Sequence, residues 1–213
     1  MKQEQVAKWL SEPRFRNFLN AVDGDHESAV ALYVWNADIS AAFLGVLHHV
    51  EVLLRNTIDR QFPETGADRR VSICNAKVWL TDPAILEDRG REKVNDAIAR
   101  LTGENRIPTR PRLVASLTFG FWTALFAGRN EDLWRSTLLG GFPNGNGRRN
   151  QVRKALARIL QLRNQIAHHE AIFGRSLAKD RDVLLQIAAL IDTEAGAYIA
   201  KLSTIDELLS RRP

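Results

Sequence analysis

Apolar residues recur at intervals of three and four along most of the chain, and no other feature constrains its fold as strongly. The pattern is clearest where Val152, Ala155, Leu156, Ile159, Leu162 and Ile166 follow one another. At about 100° per residue these side chains gather in one arc of about 120°, the core-facing stripe of an amphipathic helix. β-branched alternation of the kind that marks strands is scarce, so the chain is expected to be all-α. Helices are expected over residues 2–10, 15–22, 27–62, 85–100, 114–126, 130–137, 150–167 and 179–210. The third and last are long enough to be interrupted, and 192–196 is a candidate break in the last.

The segments FPETGADRR, LTGENRIPTRPR and GGFPNGNGRRN are loops by their Gly, Pro, Asn and basic content. None is long enough to link separate domains, and there is no internal repeat. With 45% hydrophobic residues over 213 positions, the chain can bury one sizeable core. Residues 1–213 therefore read as a single domain, with 1–26 as an N-terminal helical annex and 179–210 as a C-terminal helix or helices.

Several function classes lose support at once. No GxxxxGK[ST] or GxGxxG phosphate loop occurs. The single Cys74 has no partner for a disulfide, a zinc knuckle or a redox pair, which fits a reducing compartment. MKQEQVAKWLSEPRF lacks the apolar run of a signal peptide, and no 18-residue apolar stretch is free of charge, so the expectation is a soluble cytoplasmic protein without a membrane partner. Two histidine pairs, His48-His49 and His168-His169, raise zinc as an option. Adjacent helical residues diverge by about 100°, and no HExxH or carboxylate triad accompanies them. Neither a metal nor any other cofactor is expected.

Arg163 stands out on physical grounds. Measured from Val152 it falls at about +20°, within the apolar arc of its helix. A guanidinium aimed at a packed face is costly unless it is paired, hydrogen-bonded, or opens onto a cleft or interface. An arginine that snorkels past its neighbours is the ordinary explanation. Here, however, Asn164 follows directly, and His168 and His169 arrive where AHHEAIFG brings the helix to its end. A fixed positive charge beside an imidazole is what RNA cleavage by the adjacent 2′-hydroxyl requires: one group moves protons and the other stabilises charge on the phosphate. Five residues of ideal helix separate Arg163 from His168 by about 140°. Either the helix distorts after Asn164, or both side chains reach toward a groove lined by a second subunit, where a two-fold axis would gather two arginines and two histidines.

LRNQIAHHEAIFG at 162–174 matches the Arg-Asn-x-x-x-His motif of the HEPN superfamily. YVWNADISAAFLGVLHHVEVLLRNTID at 33–59 resembles the long early helix of that superfamily's Abi-like branch, named for abortive phage infection, and FGFWTALF at 119–126 is a weaker third match. What the resemblance implies is a HEPN-like helical bundle with additional short helices, homodimerisation with a composite site, and metal-independent cleavage of single-stranded RNA leaving a 2′,3′-cyclic phosphate and a 5′-hydroxyl. Arg163 and His168 stand at the family's catalytic positions and Asn164 at its frequent polar position. Phage defence or toxicity is the implied setting, with an antitoxin or regulatory protein as a further partner. Since HEPN domains include inactive versions, a non-catalytic module that binds RNA or another protein is the competing reading.

Other residues take supporting places. Glu51, Arg55 and His48 cluster on the early helix opposite Trp35, Ile39, Val46, Val50 and Leu53; they are either a solvated ion pair or the border of the cleft, orienting Arg163 or the RNA. His169 is grouped with them as a supporting residue. The basic loops at 106–112 and 148–154 could track RNA phosphates, with Arg148, Arg149, Arg153 and Lys154 as the candidate contacts and Arg158 beside them; solubilising charge explains them equally well. Trp79, Trp122, Trp134 and Phe119 are expected in the core rather than as stacking platforms, and Cys74 as inert.

Overall fold

A computed structural model describes residues 8–63 and 78–213, and among these every regular element is helical. We number the α-helices α1 (Glu12–Ala21), α2 (His26–Arg60), α3 (Asp88–Gly103), α4 (Arg110–Ser116), α5 (Phe119–Ala124), α6 (Glu131–Ser136), α7 (Arg149–Ala167), α8 (Leu177–Ile191), α9 (Thr193–Leu202) and α10 (Ile205–Ser210), with short 3₁₀ turns between some of them. Cys74, most of FPETGADRR and the start of the expected 2–10 helix lie outside the described residues.

The central element is α2. Asp25 caps it by accepting the Ser28 N–H at 2.8 Å, and no proline interrupts its 35 residues. One face, from Ala29 through Trp35, Ile39, Phe43, Val46, Val50 and Leu54 to Ile58, is buried against α1, α7, α8 and α10. The helix is long and apolar enough to cross a membrane by length and composition, and that same apolar content supplies much of the core. The N-terminal annex joins this core: Phe18 of α1 meets Tyr33 edge-on and Phe173 at 5.1 Å. Trp79, Trp122, Trp134 and Phe119 are all buried, as their sequence setting suggested.

Two expected helices are subdivided. The 179–210 segment breaks at Asp192, inside the 192–196 candidate, because Asp192 turns extended and its carboxylate caps α9 through the Ala195 N–H at 2.9 Å. A second interruption at Ser203 separates α10. Gly196 lets α9 fold back on α8 at close range, since a Cβ there would lie 3.0 Å from Ala189 Cα. The 114–126 segment divides at Leu117 and Thr118, which are both extended, so that α4 and α5 leave the line of a single helix.

Candidate functional site

The Arg163 to His168 segment occupies the last two turns of α7. The helix stays regular through it: the His168 N–H still donates to the Asn164 carbonyl at 2.9 Å, the ordinary α-helical bond. Of the two routes open to the motif, distortion after Asn164 is therefore not the one taken. Termination follows at once. The His169 N–H donates to Ile166 and the Glu170 N–H to Gln165, the paired bonds of a Schellman cap, with His169 in the left-handed conformation (φ 56°) that glycine usually supplies.

Arg163 is half-buried rather than sealed among its apolar neighbours. It lies on the border between the core stripe of α7 and a groove of about 520 Å³ formed by α3, α5 and α7. Asn164 lines the same groove, together with Arg153, Ala157 and Leu160. At about 100° per residue, positions 153, 157, 160 and 164 form one face of α7, and 168 is the next position on it, one turn beyond. His168 is exposed at that end of the helix and is not itself a wall of the groove. His169 points elsewhere, into a separate cleft between α1, α2 and the chain after α7, shared with Tyr33, Asn36, Leu44 and Glu170.

On the opposite flank of Arg163 stands α2. Burial raises the Glu51 carboxyl above its ordinary range, and the charges of Arg163, Arg55 and His48 oppose that rise. The two sequence segments thus meet at Glu51, which is close enough to Arg163 to feel its charge, although no ion pair joins them. Arg55 reaches the Ala115 carbonyl of α4 only at 3.5 Å, and its Nε is buried without a hydrogen-bond partner among the described residues.

The four basic candidates at the start of α7 separate. Arg149 is committed to structure: its Nε donates to Glu131 at 2.6 Å and Nη1 to the Phe126 carbonyl at 2.7 Å, leaving its side chain 13% exposed. Arg148 borders a different, small cavity near Trp134, and Lys154 is exposed outside the groove. Of the four, Arg153 alone lines the groove with Arg163. Arg158 is also spent, lying 2.6 Å from the buried Asp180 carboxylate.

Sequence reasoning missed two sets of residues. The first is Asn36, 7% exposed, whose Oδ1 accepts the N–H groups of Ile172 and Phe173 at 2.8 and 3.1 Å and so fastens the chain after the motif to α2. Arg175 adds a second fastening, donating to both oxygens of Asp180 and to Gln165 Oε1. Asn36 ends the YVWN stretch that opens the second matching segment, and no local pattern reveals a partner 136 positions away. The second set is the opposite wall of the groove, where Arg89 and Lys93 on α3 and Arg129 after α5 face α7. The i, i+4 spacing of Arg89 and Lys93 in DRGREKVND was the available signal.

No cluster of three or more metal-ligating side chains occurs among the described residues. The groove offers positive charge, amides and hydroxyls with one carboxylate, Glu87, which is ion-paired to Arg129. It suits a phosphate-bearing ligand. The chain matches no family model, no curated protein and no solved structure, so the reading of this site rests on its own residues.

Proposed function

We propose that the protein is a metal-independent endoribonuclease of the HEPN type and Abi-like branch, cutting single-stranded RNA in the cytoplasm in phage defence or as a toxin. One observation carries the proposal: Arg163 and Asn164 open onto an arginine-rich groove, and His168 stands at the end of the same helical face. The 2′-hydroxyl oxygen attacks phosphorus as its proton passes to a base, and the P–O5′ bond breaks as an acid protonates the departing 5′-oxygen. Products are a 2′,3′-cyclic phosphate and a 5′-hydroxyl. Imidazoles can serve as both base and acid, and Arg163 stabilises the extra negative charge of the pentavalent transition state. With one His168 per chain, a pair of copies supplies both proton carriers.

The exposed edge of α2 is the surface that fits a second copy. Val34, Ala37, Ala41, Leu44 and His48 follow at three- and four-residue spacing, the seam of a helix pair, with Val34 51% and Leu44 52% exposed. The same spacing continues through Glu51 and Arg55, so a partner seated on the seam adjoins Arg163. An antitoxin or regulatory protein would act by masking this cleft.

Purified protein should cleave single-stranded RNA in EDTA to cyclic-phosphate ends, and His168→Ala should abolish cleavage while leaving the circular dichroism spectrum unchanged. Cleavage that persists in folded His168→Ala removes the assignment. A second reading, RNA binding without cutting, draws on the position of His168 beyond the groove walls; retention of RNA with no product at high protein concentration establishes it instead.

A further inference from the structure

Resting on the ribonuclease reading, we propose that the groove between α3, α5 and α7 is the track for the RNA backbone on one side of the cut, held by phosphate charge without base recognition. Its two walls present Arg89 and Lys93 from α3 and Arg153 and Arg163 from α7. None of these four makes an ion pair with a carboxylate among the described residues; Arg153 is held only by the neutral Asn150 side chain. Arg129 is the groove cation that is already neutralised, by Glu87. The charge left over is what a strand of phosphates requires.

The floor defines what is read. Single strands are commonly gripped through their bases by stacking on exposed aromatic faces. The one aromatic lining the groove among the described residues, Phe121, is 2% exposed and packs against Trp122, so no ring is offered for stacking. Thr118, Thr123, Asn130 and Asn164 provide the hydroxyls and amides suited to phosphate and sugar oxygens. The track thus favours contacts to phosphate and sugar over stacked bases. Direction and length follow from α7: the roughly eleven residues from Arg153 to Asn164 span about 17 Å at ~1.5 Å per residue. That length holds at most about five nucleotides at the ~3.4 Å spacing of a stacked strand. The strand leaves the track at the end where His168 stands.

The test uses the full chain carrying His168→Ala, so that RNA is bound and not cut, and measures affinity for a fluorescent single-stranded oligonucleotide against salt concentration. Arg89→Gln/Lys93→Gln in that background should weaken binding of unrelated sequences equally and lower the slope of log affinity against log salt by about 1.4, at ~0.7 for each phosphate no longer neutralised. Lys179→Gln/Lys201→Gln, exposed on α8 and α9 outside the groove, should leave the slope where it was. Thermal melts establish that each variant is folded. An unchanged slope in folded Arg89→Gln/Lys93→Gln, with RNA still bound and cut by the parent protein, overturns the track while the ribonuclease stands. Binding abolished for one base composition and kept for another also overturns it, since that is base readout. If the parent protein neither binds nor cuts RNA, the ribonuclease reading fails and the track with it.

Discussion

Glu51 is where burial and charge oppose each other most directly. Its carboxyl is half withdrawn from water, which raises its affinity for a proton more than Arg163, Arg55 and His48 lower it. The folded chain therefore holds this proton more tightly than the unfolded chain does. The stabilisation is fully present below the unfolded carboxyl's titration and is lost as pH rises through the folded one. Glu51→Gln should remove that decline, leaving a variant at least as stable as the parent at neutral pH. Denaturation midpoints collected from about pH 4 to about pH 8 would show it; a deficit of Glu51→Gln that grows as pH rises would mean that attraction to Arg163 outweighs burial. At this scale the sequence was informative about position and silent about company. Arg163 could be singled out because helical phase alone set it against an apolar stripe. Arg149 could not be told from Arg153, because only the fold places Glu131 and the Phe126 carbonyl beside one and open groove beside the other.

Between elements, the decisive link is the one from α2 to the chain that follows α7. Asn36→Ala would leave two backbone N–H groups without their acceptor, at a cost of about 1–3 kcal/mol for each such group where it is buried. A loss of about 2–4 kcal/mol is expected in urea unfolding, accompanied by reduced cleavage. Asn36→Asp keeps an acceptor oxygen and should recover most of both; failure of Asn36→Asp to do so would mean that the amide serves some further role. Helix existence was legible from period alone, since packed helices announce their stripe, and the break at Asp192 fell inside the candidate stretch from Asp192 to Gly196. The break at Leu117 and Thr118 was not. Apolar spacing continues across it, and beyond their shared contact with α2 the two helices part company, α4 packing on α3 and α5 on α7, which is tertiary information.

For the whole molecule, the question is what covers the α2 edge. An apolar seam that runs into a charged cleft serves two ends at once if a second copy seats on it: it buries Val34 and Leu44, and it brings another Arg163 and His168 to the same place. Leu44→Glu introduces a charge at the middle of that seam without touching the core. Sedimentation should show the parent as a dimer and Leu44→Glu as a folded monomer, with cleavage abolished alongside. A Leu44→Glu protein that remains dimeric would move the interface to another face. The core itself, continuous from Phe15 to Ile205, should keep the monomer folded.

The fastening of Ile172 and Phe173 to Asn36 also sets an order of events during synthesis. The ribosome releases a chain from its amino end, and α2 emerges long before the residues it must hold. Until Phe173 is free to reach Asn36, the end of α7 lacks this fastening, and Arg163, Asn164 and His168 are held only through the apolar stripe of their own helix. The proposed site is therefore fastened only when nearly all of the chain has been made.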